Sequence, residues 1–385
     1  MPYTVNGIAY QYRRPLYANT VGIAAAVTDV LPFVGPDLTA KALASMNDVV
    51  LTDPDGTTLL GSPSANKYAG AFEVKTLAAP VGHGRFVLPS ETAAYLAAYL
   101  YYNATGGDPG DQTNIATPLT GLSYAGYWPL SEASGVLDDW TGVNDATPYN
   151  SPTYGSAGQI GKCLTFNNSA YLQAANEANF DRATNQPFTL EAWVKTSNVT
   201  DDDFIIAKQN QGSPWNGYYF LVNNLGGGVF RLLGIVQGAG GNYAGRYGAS
   251  VITDGVWHHV AMTYSGSGTA AGIFLYVDGA VETLTTASDN LAGDTILNNI
   301  PLCIGSRGSG GVPANALIDA PAVQFAVASA SSILAHYRAG FGTLWTWGAE
   351  EQRGGLYLPK RYGVEGLLHG SGALAPKRYG LQGVA

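Results

Sequence analysis

Phe188-Thr189-Leu190-Glu191-Ala192-Trp193-Val194-Lys195 is the stretch that decides the fold. Phe188, Leu190, Ala192 and Val194 recur at period 2, so one side of an extended strand is apolar and needs a second sheet to bury it. Runs of the same kind follow at Tyr218-Tyr219-Phe220-Leu221-Val222, Trp257-His258-His259-Val260-Ala261-Met262-Thr263-Tyr264 and Ile273-Phe274-Leu275-Tyr276-Val277, bounded by Gly, Asn, Asp and Ser. Short strands at this frequency predict a β-sandwich over residues 125–340. Asp278-Gly279, directly after Val277, supplies a hairpin turn.

Composition supports an all-β chain and excludes several functions. With 50 Gly and 20 Pro in 385 residues the chain is dense in turns, yet 46% of it is hydrophobic, enough to fold. Its length predicts two or three domains of roughly 100–200 residues. A net charge of −9 with only 19 Lys and Arg argues against nucleic acid as a partner, because phosphates demand clustered cations. The sequence holds no apolar run of about 18 residues, so no membrane-spanning helix is expected. Met1-Pro2-Tyr3-Thr4-Val5-Asn6-Gly7 has no basic region followed by an apolar stretch, so no secretory signal peptide is expected. Cys163 and Cys303 lack zinc-site spacing and are read as two buried thiols.

Residues 1–114 read as a separate β-rich module, closed by Gly106-Gly107-Asp108-Pro109-Gly110-Asp111. Asp48 to Asp53 and Ala71 to Lys75 are strand-like, and Asp53-Pro54-Asp55-Gly56 predicts a hairpin turn. A helix is expected from Leu38 to Ser45 with Asp37 as its N-cap. His83, between two glycines, reads as a loop residue.

Further blocks fall in a fixed order: Tyr127-Trp128-Pro129-Leu130, Asp138, Thr141-Gly142, Gly158-Gln159-Ile160-Gly161-Lys162-Cys163-Leu164-Thr165-Phe166, Phe188 to Lys195, Trp257-His258-His259-Val260, Tyr276-Val277-Asp278-Gly279, Ile304-Gly305-Ser306-Arg307 and Leu317-Ile318-Asp319. In this order they resemble a LamG-like, concanavalin A-like jelly roll. Asn167-Asn168 departs from the family's usual aspartate, and the last strand, Ala320 to Ala328, is rich in alanine. The resemblance implies that the two adjacent histidines are structural, one imidazole inside and one outside, as neighbours on a strand must be. Residues 1–114 are similar to a domain of unknown function that precedes LamG-like modules in surface proteins. Tyr12-Arg13-Arg14-Pro15-Leu16, Val49 to Leu59 and Tyr99 to Ala104 carry that likeness, which implies a second sandwich.

The sequence carries no motif for catalytic chemistry of the usual classes. Glycosidases of the resembling class need Glu-x-Asp-x-x-Glu on one strand, and the sequence has none; Glu191 is read as a solvent-facing or rim residue. Nucleophile elbows and phosphate-cradling loops are missing too. Two binding chemistries have candidates. Trp215, Asn216, Tyr218, Asn242, Tyr243 and Tyr247 cluster around Gly- and Asn-rich loops, where rings stack on sugar faces and amides bond hydroxyls. Asp201 and Asp203 offer oxygens to a calcium ion, the one cofactor the loops suit.

Residues 341–385 read as an extended C-terminal arm with an internal repeat. Pro359-Lys360-Arg361-Tyr362-Gly363 recurs as Pro376-Lys377-Arg378-Tyr379-Gly380, and the arm is net positive within an acidic chain. A basic aromatic arm beside an acidic body predicts docking on a neighbouring subunit in a homo-oligomer. A chain ended at Gly340 would then keep both sandwiches. The reading is a non-enzymatic structural or adhesive protein: a phage virion component (head decoration, head fibre or tail fibre) contacting partner subunits or host glycans. The alternative is a carbohydrate-binding lectin or adhesin on a bacterial surface.

Overall fold

Strand Phe188–Lys195 lies inside a sheet, between His258–Tyr264 on one side and Leu317–Gln324 on the other, both antiparallel. In the computed structural model, residues 3–5, 8–40, 42, 49–52, 59–61, 72–74, 81–104, 119, 121–291 and 293–352 are described. The sheet continues to Lys162–Thr165 and Thr153–Ala157 at one edge and to Ile273–Val277 and Ala280–Val281 at the other, with Tyr124–Tyr127 added on Leu317–Gln324. A second eight-stranded sheet faces it, in the order Ala146–Tyr149, Tyr171–Ala174, Cys303–Ile304, Asp203–Gln209, Gly217–Asn224, Phe230–Gln237, Tyr243–Tyr247 and Thr285–Asp289. Phe188, Leu190, Ala192 and Val194 enter the shared core with Val260, Met262, Phe220, Val222 and Leu232, as the alternation requires. The hairpin at Asp278-Gly279 has φ of 51° and 76°, positive at both central residues, which matches the twist of the flanking strands.

Distant blocks of the sequence meet as hydrogen-bonded corners. Buried Asp139 accepts from the backbone of Tyr127, Thr141 and Asn144 at 2.9–3.0 Å, fixing the turn under Trp128, whose indole N–H donates to Asn144 O at 3.0 Å. Asp319 accepts from Ile160 N at 2.7 Å, and a Cβ at Gly158 would stand 2.5 Å from that carboxylate, so glycine is required there. Cys163 and Cys303 are buried free thiols on opposite sheets, and burial pushes the Cys303 thiol up to about 12.

The N-terminal module is also two sheets. Ile8–Ala18 and Tyr95–Ala104 anchor the larger, and Val27–Val34, Val81–Leu88 and Phe72–Val74 form the smaller. Leu16, Leu31, Phe33, Leu51, Phe86 and Leu100 fill the space between them. Val50–Thr52 and Leu59–Gly61 pair as the expected hairpin, although its turn lies outside the described residues. Where it is described, the helix expected from Leu38 to Ser45 is a turn at residues 39 and 40 closed by Ala42 N donating to Leu38 O at 3.0 Å, with Asp37 Oδ1 accepting from Thr39 N at 2.9 Å as an N-cap does. Residues 43–48 lie outside the described residues. His83 is strand rather than loop, paired with Pro32, and its ring meets Tyr127 and Trp140 edge-on at 5.6 and 5.0 Å. Full burial brings its pKa down to about 3.

Two elements join the module to the jelly roll. The helix Ala330–Gly340, capped by Ser329 Oγ accepting from Ser332 N at 3.0 Å, buries Ile333, Ala335, His336 and Ala339. The chain then enters the larger N-terminal sheet, where Trp345–Trp347 and Glu351–Gln352 both pair with Ile8–Ala18. Trp345–Trp347 and Glu351–Gln352 are therefore strands of this sheet and not part of an extended arm. The reason is apolar: Trp345 tilts on Phe86 at 4.5 Å and donates to Pro32 O, while Trp347 meets Phe33 at 6.2 Å and donates to Val34 O.

Candidate functional site

Among the described residues, the two sheets of the jelly roll differ in what covers their outer sides. The sheet holding Phe188–Lys195 is covered, because Trp193, Ala320 and Ala322 on its outer face pack against Val30 and Tyr337. The opposite sheet carries on its outer face Phe204, Leu221, Leu233 and Ile235, with Tyr219, Tyr243 and Tyr247 partly exposed over them. Strand Phe230–Gln237 explains this: Leu232 and Val236 point to the core, while Leu233 and Ile235 point out, so the alternation of a half-solvated strand is lost.

Register turns these residues into rows. Leu221, Leu233 and Tyr247 stand abreast, then Tyr219, Ile235 and Gly245, then Gly217, Gln237 and Tyr243. Gly245 leaves a dip between the two half-buried tyrosines of its strand; a Cβ there would crowd Ile235 at 3.0 Å and Tyr243 at 3.3 Å. Tyr219 donates to Gln237 Oε1 at 3.2 Å, and burial raises its phenol pKa. The Arg307 guanidinium lies 6.0 Å from the Phe204 ring. The result is a flat apolar floor edged by phenols, an amide and a cation.

Of the residues singled out in the sequence, Tyr243 and Tyr247 sit on this face, and Asn242 and Trp215 lie in the two hairpin loops that leave it past Gln237 and Gly217. Trp215 is 44% exposed at φ 55°, with its indole N–H donating to Gln211 O at 3.1 Å. Tyr218 is excluded: it is 1% exposed in the core and donates to Phe180 O at 2.8 Å. Asn216 is buried and its amide closes the loop onto Leu297 O. Sequence reading missed Tyr219 and Gln237. In Tyr218-Tyr219 one ring must face in and one out, and the sequence gives no means of telling which.

The acidic run Asp201-Asp202-Asp203 is occupied by its own loops. Asp203 accepts from Asn198 Nδ2, Asn315 N and Thr196 Oγ1 at 2.7–2.9 Å, and Asp202 from Asn223 and Asn224 at 2.8–2.9 Å. Asp201 is exposed. Among the described residues no group of three or more His, Cys, Asp or Glu is arranged to hold a metal. A cation at Asp201 and Asp203 would have to displace the Asn198 and Asn315 donors. Calcium is accordingly expected to leave the melting temperature within about 1 °C of its value in chelator, since a ligand that binds the native state raises stability. A calcium-dependent rise of several degrees that Asp201→Asn abolishes would place an ion here.

The densest titratable cluster is buried. His336 Nδ1 lies 2.7 Å from Glu191 Oε1, His336 Nε2 3.1 Å from Asp29 Oδ2, and His259 Nε2 3.4 Å from Glu191 Oε1; the Tyr124 hydroxyl donates to Asp29 Oδ1 at 2.9 Å. Glu191 is 8% exposed, which corrects its reading as a rim residue: the helix and the N-terminal module cover the face it points from. Burial works to raise the Glu191 pKa, but His336 and His259 outweigh it and hold the carboxyl well below the usual range. Burial likewise works against the His336 cation, and Glu191 and Asp29 outweigh it, so its pKa is raised. The adjoining cavity has about 20 Å³ open to the centre of a water, room for about one. His258, on the other side of its strand, pairs with Asp278 at 2.9 Å and Asp254 at 3.3 Å; the Asp278 bond leads in raising its pKa.

Residues 166–333 match the family model described as Concanavalin A-like lectin/glucanases superfamily. No curated protein matches the chain. Among solved structures, the chain is similar to the binding domain of Paraclostridial Mosquitocidal Protein 1, at 12% identity and a TM-score of 0.45, over 56% of this chain and 52% of that one. It is also similar to the botulinum neurotoxin serotype D binding domain (14%, 0.41, 56% and 50%) and the botulinum neurotoxin type G receptor binding domain (13%, 0.41, 56% and 51%). The chain spans about half the length of these structures. The central part of this all-β protein is a concanavalin A-like jelly roll.

Proposed function

We propose that the protein is a non-enzymatic carbohydrate-binding component of an assembly displayed outside the cell, and that the open jelly-roll sheet is its glycan face. The apolar floor of Phe204, Leu221, Leu233 and Ile235 on the solvent side of a sheet, overlaid by Tyr219, Tyr243 and Tyr247, carries the reading. Such rings offer flat faces to pyranose C–H groups and keep their hydroxyls wet. Tyr243→Ala with Tyr247→Ala should weaken oligosaccharide binding about tenfold or more, taking ~0.5–1.5 kcal/mol per ring contact. A glycan array probed with the whole chain tests this; binding unchanged in the double variant, or no glycan bound by the wild type, defeats it.

The absence of paired catalytic carboxylates in the sequence supports a binding role over hydrolysis. Laminarin, agar and capsular polysaccharide should yield no reducing ends above a buffer control, and measurable release would overturn that part.

A virion is the setting favoured by the repeated Pro-Lys-Arg-Tyr-Gly motif, whose preset backbone, paired cations and tyrosine suit attachment to partner subunits. Both copies lie outside the described residues. Removing residues 354–385 should abolish oligomerisation or incorporation, as read by light scattering and particle composition; assembly at wild-type level would make the arm dispensable.

A further inference from the structure

Lysine is rarely buried, and Lys208 is 1% exposed. Along strand Asp203–Gln209, Ile206 points into the sandwich core and Ala207 to the outer face, so alternation turns Lys208 inward, beside its register partner Tyr218. Its ammonium meets the carboxylates of Glu177 and Asp181, the latter at 2.9 Å, and the backbone carbonyls of Asn298 at 3.0 Å and Ile300 at 3.1 Å. Glu177 opens and Asp181 caps the single 3-10 turn Glu177–Phe180, so one local element delivers both carboxylates. The remaining neighbour is an electrophile: the side-chain amide of Asn298, whose Oδ1 lies 3.4 Å from Nζ. That amide is fixed, because Nδ2 donates to Asn216 O at 3.0 Å and to Lys208 O at 3.3 Å, while Oδ1 accepts from Ile300 N at 3.0 Å.

We propose that Lys208 and Asn298 react with each other to form an intramolecular isopeptide bond between Nζ and Cγ, releasing ammonia. An amine, a carboxamide and two carboxylates held in contact and away from water are the parts this chemistry requires. The Glu177 carboxylate takes one proton from the ammonium, and the freed Nζ lone pair attacks Cγ as the C=O electron pair moves to Oδ1. Ile300 N–H meets the charge that develops there, the task of an oxyanion donor. Nζ gives a second proton to Asp181, Glu177 passes its proton to Nδ2, and the Cγ–Nδ2 bond breaks as the C=O bond re-forms. The ammonia takes the proton from Asp181 and leaves as ammonium, so both carboxylates are regenerated and the site loses one positive charge. An exit is present, since Asp181 and Asn298 both line an open pocket of about 500 Å³.

The placement gives the bond a use. Asn298 stands just before Cys303–Ile304, a strand that pairs with Asp203–Gln209 through two residues, Ile206 with Ile304 and Ala207 with Cys303. A covalent link from Lys208, the next residue along, locks this short pairing. Cys163 and Cys303 are free thiols, so no disulfide does so.

Intact-mass spectrometry of the purified full chain, followed by sequencing of its tryptic peptides, tests the proposal. The mass should fall below that of the sequence by one ammonia, and one branched peptide should join Lys208 to Asn298. Glu177→Gln and Lys208→Arg should each keep the full mass of their sequences, with circular dichroism checking that they fold. A wild-type chain at full sequence mass overturns the bond whatever the variants do. Ammonia lost without a branched peptide, as in succinimide formation at Asn216-Gly217, overturns it equally. Loss of one water in place of ammonia, with Lys208 joined to Asp181, overturns Asn298 as the partner. A branched peptide in undiminished yield from Glu177→Gln overturns the role given to Glu177.

Discussion

A chain ended at Gly340 is expected to lose the N-terminal module, whereas a chain ended at Arg353 is expected to melt like the full protein. The first cut removes Leu344, which is fully buried, and the two tryptophans that close the smaller sheet over Phe33 and Phe86. It also strips Ile8–Ala18 of its pairing with Trp345–Trp347 and Glu351–Gln352, the Arg13–Glu351 ion pair at 2.6 Å and the Tyr102–Glu350 hydrogen bond. Three large apolar side chains at roughly 2 kcal/mol each amount to about 6 kcal/mol, against a typical domain stability of ~5–15 kcal/mol. At about 2–4 °C per kcal/mol, the drop in melting temperature should exceed ~10 °C. Calorimetry of the two truncations decides it: equal melting of the Gly340 and Arg353 chains would show that the late strands are ornamental.

Breaking the buried ionic cluster should have an effect of similar size. His336→Gln leaves Glu191 and Asp29 buried without the imidazole between them, which typically costs about 3–5 kcal/mol, and Glu191→Gln, which keeps the His336–Asp29 pair, should cost less. The triple variant Asp29→Asn, Glu191→Leu and His336→Leu removes all three charges and should recover much of that loss, since well-packed apolar replacements are often neutral. The pH dependence has two arms of opposite sign. His336 has a raised pKa when folded, so its contribution is complete below about pH 6.5 and fades as pH rises through the higher folded value. Glu191 has a lowered pKa when folded, so its contribution is complete above about pH 4.3 and fades as pH falls toward the lower folded value. Urea unfolding from pH 3 to 9 should therefore show the gap between wild type and either Gln variant widest between about pH 5 and 6.5. A gap independent of pH would mean that the cluster acts by shape and not by charge.

The alternation in Phe188 to Lys195, the Asp-Gly hairpin and the spacing of the later strands determined the sandwich without any three-dimensional information. Each signal is local: a period of 2 or a dipeptide needing positive φ is complete within a few residues. Tyr243 and Tyr247 were legible as candidate binding residues for the same reason, since they sit among glycines beside a strand. What tertiary structure alone decided is which surface each sheet shows to water. Glu191 occupies the position that alternation assigns to the outside, and it is buried because a helix about 145 residues later and a strand from the N-terminal module close over it. Residues 341–352 carry no strand signal of their own strength, yet Trp345 and Trp347 become strand because the N-terminal sheet offers Ile8–Ala18 as a free edge and Phe33 and Phe86 as a surface. Tyr218 and Tyr219 are identical in type and adjacent in sequence, and only the packing of one sheet on another sends the first into the core and leaves the second on the outer face. Burial is a property of elements meeting across long sequence separations, so a pattern within eight residues fixes that a strand has two faces but not what covers either one.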